Sequence, residues 1–153
     1  MTKLKIGEKA PDFSLMGDDG KEHSLKEFRG KKIVLFFYPK DDTSGCTKEA
    51  CSFRDNTPHI KKKGAVVLGI SGDSVESHKK FISKYDLNFA LLSNEDRSVL
   101  NAYGVWKEKS MYGRTFMGIE RTTFIIDADG KISHIFPKVK VDGHTEEVLN
   151  ALA

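Results

Sequence analysis

A single α/β domain, built on a mixed central sheet flanked by helices, is predicted by three features of the chain. Residues 33–38 and 65–70 are continuously apolar and rich in branched side chains, the pattern of strands buried on both faces. Segments with helical spacing of apolar residues follow each of them. A turn signal, Asp127-Ala128-Asp129-Gly130, separates two further strand-like runs. With 153 residues the chain fits one domain, spanning 1–153, with a sizeable core.

The elements follow in order. Asp18-Asp19-Gly20, between residues 13–16 and a segment ending at Leu25, reads as a small amino-terminal hairpin. After strand 33–38, residues 44–57 read as a helix, because Cys46, Ala50 and Phe53 recur at helical spacing, and Pro58 is expected to stop it. Strand 65–70 leads to a helix starting near Asp73. There Asp73 and Glu76 have capping-box spacing, and Val75, Ile82 and Tyr85 share a face with Phe81 nearby.

Leu91-Leu92 marks a short strand. Val99, Leu100 and Tyr103 mark a short helix, with Gly104 suited to its end. Trp106 and residues 107–118 read as a loop near the site, with Trp106, Tyr112, Phe116 and Met117 either covering it or packing in the core. Strands 122–127 and 131–136 form a hairpin in which Gly130 supplies a positive φ, and a helix near 143–152 closes the domain. Strands joined by right-handed helical crossovers must be parallel, and the late hairpin adds an antiparallel strand. This is a thioredoxin-like arrangement with an added amino-terminal hairpin.

Composition narrows the function. Charged residues make up 31% and hydrophobic residues 39%, as in ordinary globular proteins. The net charge of +3 is only mildly basic, and the run Lys61-Lys62-Lys63 has no interleaved aromatics, so it reads as a solvated helix end rather than a nucleic-acid patch. No apolar run has membrane-spanning length, and residues 1–6 carry no signal-peptide core. The expectation is a cytoplasmic protein in a reducing compartment, where a close cysteine pair is catalytic or metal-binding rather than a permanent staple.

The only two cysteines, Cys46 and Cys51, lie at the start of the helix that follows the first buried strand. The carboxyl edge of such a sheet is where ligands bind. Unpaired amides and the helix dipole favour a thiolate there, and positions of this kind lower a cysteine pKa from about 8.5 to about 3.5–7.5. A buried core cysteine is the plainer reading, against which stand the polar neighbours Thr43, Ser44 and Gly45. Five residues along an intact helix separate two Cα atoms by about 8–9 Å. A disulfide tolerates no more than about 7 Å. Bonding between Cys46 and Cys51 therefore requires the first turns to unwind, and Cys51 is otherwise a plain helix-face residue.

The spacing Pro39-x-x-x-Thr43-x-x-Cys46 resembles the active-site signature of the peroxiredoxins. With Cys51 beyond Lys48-Glu49-Ala50, it is similar to the subfamily called bacterioferritin comigratory protein or peroxiredoxin Q. The resemblance extends from Gly7-Glu8-Lys9-Ala10-Pro11-Asp12-Phe13 through Tyr103-Gly104-Val105-Trp106 to residues 121–127. One departure is Ser44, where many relatives have proline.

The resemblance implies that Cys46 is the peroxidatic cysteine, attacking the O–O bond of hydrogen peroxide or an organic hydroperoxide and becoming a sulfenic acid. Thr43 would hold the thiolate and orient the peroxide, and Pro39 would shield the site. Arg121, at the start of a strand antiparallel to 33–38, would stabilise the sulfur and the leaving oxygen, with Glu49 orienting it through an ion pair. Cys51 would resolve the sulfenic acid as an intramolecular disulfide, and thioredoxin or a similar dithiol would complete the cycle. No metal, flavin or haem is implied, and a self-contained cysteine pair fits a monomer.

Three rival readings remain open in the sequence. Cys46 and Cys51 with a histidine such as His59 would make a zinc- or redox-regulated binding protein, although a fourth ligand is not evident. A thiol–disulfide oxidoreductase acting on proteins is the second, without the usual C-x-x-C spacing. The third is a non-catalytic holdase or redox sensor. The other histidines, His23, His78, His134 and His144, are scattered and mark no metal site.

Overall fold

A computed structural model describes residues 4–152, so residues 1–3 of the segment 1–6, and residue 153, lie outside it. Seven strands form one sheet in the order β2-β1-β5-β4-β3-β8-β9. They are β1 (Ser14–Gly17), β2 (Glu22–Ser24), β3 (Lys32–Phe37), β4 (Ala65–Ser71), β5 (Ala90–Ser93), β8 (Thr122–Ile126) and β9 (Ile132–Phe136). The intervening β6 (Trp106–Met111) and β7 (Arg114–Ile119) form a separate ribbon. The helices are α1 (Ser44–Lys62), α2 (Val75–Tyr85), α3 (Ser98–Ala102) and α4 (His144–Leu152), with a 3-10 turn at Leu25–Phe28.

β3 pairs parallel with β4, and β4 with β5, as helical crossovers require. β8 runs antiparallel to β3 and β9 antiparallel to β8. The amino-terminal hairpin is not an appendage, because β1 also pairs with β5 and extends the sheet.

Alternate residues of β3 feed two cores, which is why the strand is apolar throughout. Ile33, Leu35 and Phe37 pack with Leu100, Tyr103 and Phe124 on one face. Val34 and Phe36 pack with Phe53, Phe81 and Val148 on the other, beneath α1, α2 and α4. The Phe36 ring stacks on Phe53 at 4.8 Å. Glycine at 69 makes room for it, since a Cβ there would lie 2.8 Å from Phe36 Cζ. Gly104 and Gly130 adopt the positive φ expected of them, 70° and 84°.

Three expectations are corrected. Pro58 does not end the helix, which runs on to Lys62. A proline removes the donor to the carbonyl four residues back, here Arg54, and Asn88 Nδ2 donates to that carbonyl at 3.3 Å instead. Asp73 and Glu76 form no capping box. Ser74 caps α2, its hydroxyl accepting from the Ser77 amide at 3.1 Å, while the Asp73 carboxylate accepts from the Asp41 amide and the Ser71 hydroxyl.

Residues 107–118 are a ribbon rather than a loop. Its turn residues Tyr112 and Gly113 take φ of 52° and 77°, the mirror-image turn that suits strand twist. Tyr112 is 96% exposed, and Phe116 and Met117 are also exposed, so these three do not pack in the core. Trp106 is held under the Arg97 guanidinium, 4.5 Å from its ring centroid. Among the described residues no helix is long and apolar enough to cross a membrane.

Candidate active site

The chain leaves β3 at Phe37, turns through residues 38–43 and enters α1 at Ser44, with no proline needed to start the helix there. Cys46 is thereby delivered to the first turn. Arg121 immediately precedes β8, whose Thr122 lies opposite Phe37. An antiparallel neighbour begins where its partner ends, so Arg121 arrives at the same sheet edge as Cys46. Its Nη2 lies 3.3 Å from Cys46 Sγ, and its Nη1 donates to Glu49 Oε1 at 2.6 Å. Gly45 permits this approach: a Cβ at that position would stand 3.2 Å from Nη2.

The site is more enclosed than the sequence implies. Cys46 is only 1% exposed, packed in the same core as Tyr38, Ala50 and Phe53, in spite of the polar neighbours that argue against burial. Pro39 is half-buried at the start of the turn. Thr43 is the N-cap by backbone, its carbonyl accepting from the Thr47 amide at 2.8 Å. Its exposed hydroxyl donates to the Lys40 carbonyl at 3.0 Å, not to the Cys46 sulfur, and retains its lone pairs as acceptors. Cys51 is half-buried one and a half turns on, and both thiols are free with α1 intact between them. His59 is exposed at the far end of that helix.

Glu49 is also 1% exposed, and its Oε2 has no hydrogen-bond partner among the described residues. Burial pushes its carboxyl up to about 7, against the opposing pull of the Arg121 charge. Burial of Arg121 works against its own charge, but Glu49 and Cys46 together raise its pKa above the ordinary value.

The consequence for stability has a definite sign. An unfolded glutamate titrates near 4.3, so between about 4.5 and 7 the folded protein holds the extra proton. Stability linked to Glu49 is complete below that window and is lost as pH rises through it. Relative to Glu49→Gln, the parent should lose up to about 3 kcal/mol between pH 5 and pH 8. Urea midpoints at the two pH values measure this, and parallel profiles for the two proteins would refute it.

Two buried polar networks near the site were not foreseen. Asp41, in the turn, is bonded to Tyr38, Ser77 and His78. His144 at the start of α4 joins Thr123 of β8 to Glu147, and burial lowers its pKa. Tyr38–Asp41 and His144–Glu147 are each three residues apart, but the contacts that close the networks, from Asp41 to Ser77 and His78 and from Thr123 to His144, span 21 to 37 residues and leave no local signal.

Known proteins resemble this chain along nearly its whole length. The model of the AhpC/TSA family matches residues 6–135. A putative peroxiredoxin bcp of Coxiella burnetii is 54% identical over 149 residues, which cover 97% of this chain and 99% of that protein. Peroxiredoxin Bcp of Escherichia coli is 49% identical over 152 residues, 99% of this chain and 97% of the relative. The solved bacterioferritin comigratory protein of Xanthomonas campestris, described for its alkyl peroxide reduction and trapped intermediates, is 39% identical. It superposes with a TM-score of 0.89 over 99% of this chain and 97% of its own.

Proposed function

Because the chain belongs to the AhpC/TSA family of peroxiredoxins, we propose that it is a thiol peroxidase reducing hydrogen peroxide and organic hydroperoxides through Cys46. The observation that carries this reading is the Arg121 guanidinium shared between Cys46 Sγ and Glu49. A cation there stabilises the sulfur anion before attack and the oxygen that departs after it.

The Cys46 sulfur donates an electron pair to the nearer oxygen of the peroxide, the O–O bond breaks, and the departing oxygen takes a proton to leave as water or an alcohol. Cys46 is left as a sulfenic acid. Thr43, its proton engaged by the Lys40 carbonyl, presents an acceptor to the O–H of the incoming hydroperoxide. The half-buried Pro39 and the enclosed sulfur keep water from competing.

Cys51 then attacks the sulfenic sulfur, expelling water and forming the Cys46–Cys51 disulfide. With about 8–9 Å between Cα atoms in an intact helix, the first turns of α1 must unwind for this step. Lys48 to Asp142 and Ser52 to Thr145 are the contacts with the start of α4 that unwinding would strain. A dithiol such as thioredoxin reduces the disulfide, itself becoming oxidised. The cycle is complete within one chain, which fits a monomer, and its reductant fits a cytoplasmic setting.

One equivalent of peroxide separates the two sulfur roles. By intact mass the parent should lose two hydrogens, while Cys51→Ser should retain one added oxygen as a trapped sulfenic acid. The oxidised parent should also show less helix by circular dichroism than the reduced one. A Cys51→Ser protein that turns over normally with dithiol, or equal helix content in the two redox states, would remove Cys51 from this role.

A further inference from the structure

The turn that carries Thr43 and Cys46 is tied to α2 by a buried polar cluster that the chemistry above does not use. The Asp41 carboxylate accepts from Tyr38 Oη at 2.5 Å and from Ser77 Oγ at 2.7 Å, and lies 2.7 Å from His78 Nδ1. The Asp41 amide donates to Asp73 Oδ2 at 2.8 Å, and Asp73 is fixed in turn by Ser71 Oγ at 2.7 Å and Ser93 Oγ at 2.5 Å. His78 is fully buried, with Nε2 3.0 Å from the Leu92 carbonyl. That carbonyl only accepts, so Nε2 is the donor there.

Burial and the neighbouring Asp41 raise the pKa of Tyr38 well above its ordinary value, so its hydroxyl is a standing donor. The ligand atoms of Asp41, Asp73 and His78 converge within 4.8 Å. They hold one another directly, however, and the 2.7 Å between Nδ1 and Oδ2 leaves no room for an ion between them.

The amide and both carboxylate oxygens of Asp41 are thus spent on holding residue 41 in place. The next residue, Asp42, takes a φ of 58° and is bound on the outer side by Lys84 Nζ at 2.8 Å and Tyr85 Oη at 2.7 Å. Thr43 follows directly, and Cys46 one helical turn later. The register of the N-cap, and with it the position of the sulfur beneath Arg121, is therefore set from α2. Buried polar groups of this kind cost stability unless all are satisfied, and here they converge on the turn that leads into the helix carrying Cys46.

We propose that Asp41, held by His78 and Tyr38, is a positioning residue for the peroxide step: it fixes the turn so that Cys46 and Thr43 meet the hydroperoxide in line. The inference rests on the thiol-peroxidase reading. Misplacing reacting groups by about 1 Å costs about 100-fold in rate. The effect belongs to attack on peroxide and not to reduction by dithiol.

The test is kcat/KM for hydrogen peroxide, measured on folded protein well below its unfolding midpoint, together with iodoacetamide alkylation of Cys46 in a Cys51→Ser background. Asp41→Ala should lower the peroxide rate by about 10- to 100-fold. Asp41→Asn should stay within about threefold of the parent, because the amide keeps the planar shape and the hydroxyl and imidazole partners can reverse their bonds. Alkylation, which needs no in-line peroxide geometry, should change less than the peroxide rate in each variant.

A residue with a merely structural role would lower the midpoint and leave the folded rate unchanged, and that result overturns the inference. So does an Asp41→Asn protein as slow as Asp41→Ala. Should Asp41→Ala fail to fold, Tyr38→Phe keeps the ring in the core and removes one donor. A drop of about threefold or more in its peroxide rate supports the proposal, and an unchanged rate overturns it. A parent inert to peroxide overturns the peroxidase reading and this inference together, whereas an active parent with an unimpaired Asp41→Ala overturns this inference alone.

Discussion

Cys46→Ser should consume no peroxide beyond the background of an unrelated protein, a fall of at least about 1,000-fold, or about 4 kcal/mol in the barrier. A serine hydroxyl beside Arg121 stays protonated at neutral pH and is a far weaker nucleophile than a thiolate. Cys51, the one remaining thiol, sits on the far side of a turn and a half of helix from the guanidinium. The fold should survive, since serine is slightly smaller and replaces a buried sulfur that packs with Tyr38, Ala50 and Phe53. The expected penalty is about 1 kcal/mol. Exposed methionines such as Met111 and Met117 can be oxidised once each but cannot turn over. Multiple-turnover consumption by Cys46→Ser with excess dithiol would therefore dismiss the assignment of this sulfur outright.

Much of this site was legible because its parts lie on elements with strong local patterns. The apolar run of β3 announces a strand buried on both faces, and helical spacing after it places Cys46 on the first turn. Arg121 could be placed at the same edge because an antiparallel β8 must begin where β3 ends, and its pairing with Glu49 follows from one helical turn of separation. What escaped depends on distant partners. Pro58 reads as a helix stop, and only Asn88, thirty residues on, makes its place inside α1 tolerable.

The β6–β7 ribbon has apolar residues on both faces, so alternation gives no strand signal, and its Tyr112-Gly113 turn lacks the usual asparagine or aspartate. His78 looks like any scattered histidine until α2 docks it against Asp41. Even the burial of Cys46 is a tertiary fact: its neighbours Thr43 and Ser44 are exposed, while the sulfur packs in one core with Tyr38 and Phe53.

Arg121→Met should lower kcat/KM for peroxide by about 100- to 1,000-fold, the loss typical of removing one preorganised charged donor from a developing oxyanion. Methionine retains the length and packing of the arginine stem but neither of its donors. Arg121→Lys should recover part of that loss, because an ammonium supplies charge as a point and cannot reach Cys46 and Glu49 together in the fork that Nη1 and Nη2 provide. Stability answers differently.

Without the cation, the buried Glu49 keeps its proton to higher pH. Arg121→Met should therefore cost only about 1–3 kcal/mol, less than stranding a fixed charge would. Adding Glu49→Met to Arg121→Met should restore most of that stability, because both polar partners are then replaced by apolar groups, and none of the activity. The two effects should separate if, as proposed, the carboxyl matters to the fold as a buried polar group and the guanidinium to the reaction as the charge facing sulfur. A double variant that regained activity along with stability would mean that Arg121 serves Glu49 and not the chemistry.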